Sequence, residues 1–282
     1  MAKWSISDFP FLGRVLLRLG WFLSAPARAY WARSERKPGK RSLTKRFLHL
    51  LPASPAGFEV GRPGGSRIFV HYREDLGLVS LLSGGFEVPE TDWLLTQTRP
   101  GTMAMDVGAN VGIFTVPLAS AGARVRAFEP APENVRRLEE NLRRNGLEAT
   151  VRQVAVANRV GTLVLRLADD PMFHSTTEVA EQRGTGEEVA VEATTLDIEW
   201  RACGSPQVSV VKVDVEGGEP AVLRGAYELL ERCRPALLVE AAEPERLREL
   251  EAILRPLGYR FTRPAGFSPT NYAFIADERR AS

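Results

Sequence analysis

The stretch MAMDVGANVGIF (residues 103–114) sets an apolar run, an acid and two glycines four apart at a place where a strand should hand over to a helix. MAMDV (103–107) reads as a strand, and GIFTVPLASAG (112–122) as a helix that starts at its end. Gly108 and Gly112 allow a sharp turn and a close backbone approach to a ligand, while Asp106 puts a carboxylate beside that turn. The arrangement implies a nucleotide-like cofactor.

Downstream, the same rhythm repeats. RVRAFE (124–129) is a second strand, and PENVRRLEENLRRNG (132–146) is a helix with Pro at its start, apolar positions at Val135, Leu138 and Leu142, and Gly146 as its stop. TVRQVAV (150–156) reads as a third strand. GTLVLRL (161–167) and EVAVEA (188–193) alternate as antiparallel strands do. VSVVKVD (208–214) is a fourth core strand with EPAVLRGAYELLERC (219–233) as its helix. ALLVEA (236–241) is a fifth, followed by the helix PERLRELEAILRPLG (244–258), and YRFTR (259–263) with NYAFIA (271–276) closes as a hairpin. Strand and helix in alternation predict an α/β fold: a mostly parallel, doubly wound sheet with a C-terminal antiparallel hairpin. Upstream, FEV (58–60) and RIFVHY (67–72) flank a Gly/Pro turn and suggest a small antiparallel lead-in.

Ligands of such a sheet bind beyond the carboxyl ends of its strands, near the point where strand order reverses. The residues at those ends are Asp106, Glu129, Val154 with Ala155, Asp214 and Glu240. Glu129 lies 21 residues beyond Gly108, where an acid accepts hydrogen bonds from the two hydroxyls of a ribose. Asn110 occupies the second glycine of the dinucleotide fingerprint, and Asp106 would repel a pyrophosphate, so an NAD(P)-dependent oxidoreductase is the rival reading and the weaker one. A carboxylate there suits a cofactor with a cationic end, as in S-adenosylmethionine with its ammonium and sulfonium. A second rival is a non-catalytic nucleoside-binding module recruited to membranes.

Composition sets outer bounds. The chain has 282 residues, 44% hydrophobic and 26% charged, which excludes disorder throughout. Two cysteines without a CxxC pair signal neither a disulfide framework nor a zinc site, and suit a reducing, cytoplasmic compartment. The net charge of +2 is uneven: residues 1–50 carry eleven Lys/Arg against Asp8 and Glu35, or +9, leaving −7 on the remainder. An acidic body gives no support for nucleic-acid binding. The leader from Phe9 to Trp31 is interrupted by Arg14 and Arg18, too early for a spanning helix of roughly 20 apolar residues. It suits either peripheral contact of residues 9–46 with an anionic membrane at the inner face or a helix packed on a protein surface. The expected division is a basic leader and linker over residues 1–56 and one domain over residues 57–282. The sequence gives no reading of oligomeric state.

DVGANVGIF, AFEPAPENV with NLRRNG, TTLD (194–197), VVKVDVEGGEPAVLRGA (210–226), RPALLVEA (234–241) and NYAFI (271–275) together resemble the FkbM-type S-adenosylmethionine-dependent methyltransferases. The likeness runs from about Phe58 to Ala276, and KVDVEGGE is its most specific part. It implies a class I, Rossmann-like methyltransferase fold and O-methylation of a hydroxyl on a sugar, glycan or secondary metabolite. Gly218 and Pro220 depart from the family's usual EGAE segment.

By this resemblance Asp106, Gly108, Asn110 and Gly112 form the first cofactor loop and Glu129 holds the ribose. Pro130 packs beside the adenine or simply starts a helix, and Val154 and Ala155 flank the adenine. Methyl transfer to an alcohol still requires loss of a proton, and Asp214 stands where a base is expected, with Glu216 sharing the task or orienting the acceptor. His174, in the polar insertion DDPMFHSTT, is a further candidate base. Glu240 lines the acceptor pocket or caps its strand. Asp106, Asp214, Glu216 and Glu219 offer oxygen ligands, but the Asp-Asn pair of metal-dependent catechol-type methyltransferases is missing after Asp214, so no metal is expected.

Overall fold

A computed structural model describes residues 57–71, 86–168 and 184–277. The leader, its expected boundary at residue 56 and His174 lie outside the described residues. Two compact units divide the chain. One contains residues 57–61, 69–71 and 86 of those described, and the other, residues 62–68, 87–168 and 184–277, carries the central sheet.

In chain order the elements are β1 (Gly57–Gly61) and β2 (Arg67–His71), which form a two-stranded sheet, α1 (Val88–Gln97), β3 (Met103–Val107), α2 (Thr115–Ser120), β4 (Arg124–Phe128), α3 (Pro132–Arg144), β5 (Thr150–Arg152), β6 (Ala155–Val156), β7 (Gly161–Ala168) and β8 (Gly184–Thr194). Then follow α4 (Leu196–Ala202), β9 (Val208–Val213), α5 (Glu219–Arg224), α6 (Tyr227–Cys233), β10 (Ala236–Glu240), α7 (Pro244–Leu254), β11 (Tyr259–Thr262) and β12 (Asn271–Ala276).

The central sheet has the order β11-β12-β10-β9-β3-β4-β5. β3, β4, β5, β9 and β10 run parallel, and β12 is antiparallel to both β10 and β11. Counted along this sheet alone, the order is 3-2-1-4-5-7-6, and it reverses at β3, whose neighbours are β4 and β9. This is the doubly wound sheet with a closing antiparallel hairpin that the strand–helix alternation predicts.

β3 is buried over its whole length because both its faces are covered, as parallel strands require. Met103, Met105 and Val107 join Val211, Val213, Leu237, Val239 and residues of α5, α6 and α7 in one large apolar cluster. The alternate positions, Ala104 and Asp106, point to the opposite face with Lys212, which pairs with Asp106 across the β3–β9 ladder.

Three boundaries differ from the sequence reading. The third strand breaks after Arg152: Val154 N–H donates to the Arg152 carbonyl at 3.0 Å in a tight turn, and Ala155–Val156 leaves the central sheet to pair with β8 in a three-stranded sheet of order β6-β8-β7. Residues 219–233 form two helices, because Gly225 touches the Ala157 backbone so closely that a Cβ there would lie 2.1 Å from the Ala157 oxygen. The helix after β3 starts only at Thr115, since residues 108–114 are spent on the turn.

Candidate active site

The turn after β3 is built almost wholly from backbone hydrogen bonds. Gly108 N–H and Ala109 N–H both donate to the Phe128 carbonyl at 3.0 Å, and Gly112 N–H donates to the Ala109 carbonyl at 2.9 Å. Gly108 has φ 75°, and a Cβ on it would sit 1.7 Å from the Asp214 carbonyl oxygen, so glycine is required twice over. Asn110 takes the left-handed conformation, φ 49°, one that Asn tolerates better than most residues, and its Oδ1 accepts from Val111 N–H at 2.7 Å. The α3 side chain of Asn141 donates to the Val111 carbonyl at 2.8 Å.

Glu129 locks this turn to the next strand. Its Oε2 accepts from Asn110 N–H at 2.8 Å and its Oε1 from Ala131 N–H at 3.0 Å, with Asn134 Nδ2 at 3.4 Å. Burial pushes the Glu129 carboxyl above its ordinary range, against the pull of those N–H donors and of Lys212. The acid that the sequence assigns to a ribose therefore also fixes the loop beneath it.

Asp106 lies one layer below the rim, fully buried. Its Oδ2 accepts from the Thr115 hydroxyl at 2.6 Å, and Lys212 Nζ stands 3.8 Å from Oδ1, which has no hydrogen-bond partner among the described residues. Lys212 is the centre of the site's electrostatics: Nζ donates to the Gly108 carbonyl at 2.9 Å, lies 3.3 Å from Asp214 Oδ2, and sits 5.1 Å from the centroid of the Phe114 ring. Burial opposes its charge, yet Asp214, Asp106 and Glu87 together hold it well above the usual lysine range. One buried ammonium thus joins the cofactor turn to the acid that follows β9.

Asp214 ends β9 half-buried, and Glu216, with φ 53°, turns the chain toward α5. Glu219 closes that turn, its Oε1 accepting from Val215 N–H at 3.1 Å and Gly217 N–H at 2.9 Å. Carboxyl oxygens of Asp214, Glu216 and Glu240 lie within 4.8 Å of one another. Burial first, then the charge of Asp214 and a hydrogen bond with it, push Glu240 up to about 10. Glu87, just before α1, is pushed up to about 8 by burial and by Asp214, while its Oε1 accepts from Asn271 Nδ2 at 2.7 Å.

The structure brings Asp106, Gly108, Asn110, Gly112 and Glu129 together at the reversal of strand order, with Asp214 and Glu216 beside them. Pro130 is half-exposed on the same rim. Val154 joins the large apolar cluster of the central sheet, while Ala155, in the smaller sheet, is buried alongside Ala131. Sequence reasoning passed over Lys212 and Glu87. A lysine inside the apolar run VSVVKV was the available signal for the first, since a lone charge on a buried strand needs partners. Glu87 carries no such mark.

Residues 106–261 match the Methyltransferase FkbM domain. Methyltransferase sdnD of Sordaria araneosa is 29% identical over 209 residues, covering 62% of this chain and 81% of that protein. The 31-O-demethyl-FK506 methyltransferase FkbM of Streptomyces tacrolimicus is 29% identical over 161 residues, 47% of this chain and 62% of its own length. Hexuronic acid methyltransferase AglP of Haloferax volcanii is 28% identical over 138 residues, 49% of this chain and 55% of its own. The match spans less than two thirds of the latter two proteins.

Proposed function

The chain belongs to the FkbM methyltransferase family and is an S-adenosylmethionine-dependent methyltransferase; on that premise we propose that it methylates a hydroxyl of a small molecule or glycan. The observation that carries this reading is the Gly108–Gly112 turn clamped to Glu129 at the reversal of strand order, beside a rim of carboxyls. The charge of that rim fits the cofactor. Its ammonium, Lys212, is buried and already engaged, so the rim favours a cationic nucleoside and disfavours a pyrophosphate. Relatives that act on an FK506 precursor and on a hexuronic acid support a hydroxyl-bearing acceptor.

When bound, the cofactor supplies a methyl group already activated on a sulfonium, which leaves alignment and proton removal to the chain. Glu129 and the Asn110 turn hold the ribose, Pro130 borders the base, and Asp214 accepts the proton of the acceptor hydroxyl, with Glu216 orienting it. Lys212 Nζ, 3.3 Å from Asp214 Oδ2, positions that carboxyl for the task. Asp214→Asn should retain S-adenosylhomocysteine affinity by calorimetry while losing transfer of isotopically labelled methyl into a producing-cell extract, read by mass spectrometry. Undiminished labelling would remove Asp214 as the base. Cytoplasmic location with peripheral contact of residues 9–46 at an anionic membrane belongs to the same proposal. Equal liposome co-sedimentation of the full chain and of one lacking residues 1–56 would remove the membrane part.

A further inference from the structure

Asp214 and Glu240 close neighbouring parallel strands, since Val213 pairs with Val239, and with Glu216 they form the group of carboxyls within 4.8 Å. Carboxyls this close disfavour one another's ionisation, and burial adds to that at Glu240. Lys212 compensates only part of the charge, because Asp106 and Glu87 draw on the same ammonium. Glu219, from the start of α5, adds further negative potential at Glu240, and Glu87 adds it at Asp214. Glu90 of α1 does nothing to relieve it and is itself occupied by Ser268 N–H and Asn271. Carboxyl oxygens of Glu240 and Asp214 lie within 4.8 Å of each other, where a proton on one of them relieves the repulsion. The cofactor turn abuts this pair: Gly108 is packed on the Asp214 carbonyl and bonded to Lys212.

We propose that Glu240 holds this proton in the cofactor-free chain and surrenders it when a sulfonium nucleoside occupies the rim, so that binding of the methyl donor itself creates the base. The inference rests on the methyl-transfer reading above. On donor binding the Glu240 O–H bond breaks and the proton leaves to solvent. During transfer the acceptor O–H bond breaks, its oxygen forms the new bond to the methyl carbon, sulfur keeps the electron pair of the broken C–S bond, and the proton passes to the Glu240–Asp214 pair. The pair is then protonated again beside a neutral thioether, ready for the next donor. Burial and the neighbouring acids, which push Glu240 up to about 10, are consistent with a proton held at neutral pH.

Calorimetric titration of the full chain at about pH 7.5, in two buffers of different ionisation enthalpy, counts the protons exchanged on binding. S-adenosylmethionine should release roughly one proton and S-adenosylhomocysteine close to none. Glu240→Gln should bind S-adenosylmethionine without that release, whereas Glu87→Gln, which removes another raised carboxyl, should keep it. Equal release with both ligands, or release that survives in Glu240→Gln, overturns the proposal. So does release provoked by magnesium chloride alone, which would make the group a cation site. If both nucleosides bind and neither releases a proton, only this proposal falls; if neither binds, the cofactor-site reading falls with it.

Discussion

Replacing Glu129 with Gln tests whether this acid builds the cofactor turn or merely faces it. The wild-type carboxylate accepts two backbone N–H groups, from Asn110 at 2.8 Å and Ala131 at 3.0 Å. An amide has one acceptor oxygen, so its NH2 must confront one of those donors. Losing a hydrogen bond to a charged acceptor and stranding a buried N–H costs about 1.5–3 kcal/mol. Part is recovered because burial already disfavours the ionised form of Glu129. A net loss of about 1–2 kcal/mol corresponds, in a domain of this size, to a fall in Tm of roughly 2–8 °C. The same defect loosens Asn110 and removes a charged ribose acceptor, so S-adenosylhomocysteine affinity should fall roughly 10- to 100-fold, about 1.4 kcal/mol for each factor of ten. Thermal unfolding and calorimetry read the two effects on one preparation. A Tm within a degree of wild type together with unchanged affinity would refute the dual role. Lost affinity at an unchanged Tm would leave Glu129 as a ligand residue only.

Gly108→Ala must place a Cβ 1.7 Å from the Asp214 oxygen at φ 75°, so it should cost about 3–5 kcal/mol, from the left-handed backbone and the overpacking together; a urea midpoint equal to wild type would contradict that packing. Glu240 and Glu87 bind their protons more tightly folded than unfolded, so the stabilisation they give is complete below the ordinary value of 4.5 and is lost as pH climbs through the folded values of about 10 and about 8. Glu240→Gln should therefore gain on wild type in Tm steadily between about pH 6 and pH 9. A gap that stays flat or narrows over that range would show that Glu240 holds no tightly bound proton.

Much of the site was legible because it is local. The glycines at 108 and 112, the acid ending RVRAFE and the acid ending VSVVKVD lie where strands stop, and strand periodicity finds those stops. What sequence reading misplaced is where a close approach between distant segments intervenes. Gly225 divides a helix because the Ala157 backbone lies against it, and Ala155 with Val156 leaves the central sheet to pair with β8. α1 went unread: it is a short helix, and it buries Glu90 and Thr91 alongside Leu94. Those buried polar positions make sense only beside Ser268, Asn271 and Arg62, whose side chain donates to Thr91 at 2.6 Å.

The sequence by itself determined the alternation of strands and helices, the glycine turn and a carboxylate at each strand end, since each depends on the periodicity and backbone freedom of a few adjoining residues. Only the tertiary structure decided the electrostatics. The ladder register that sets Asp106 opposite Lys212 and Val213 opposite Val239 gathers one ammonium and several carboxyls from four separate segments into one partly dry space. Which of those acids keeps its proton depends on distances through that space, because charge interactions fall with separation and rise with burial.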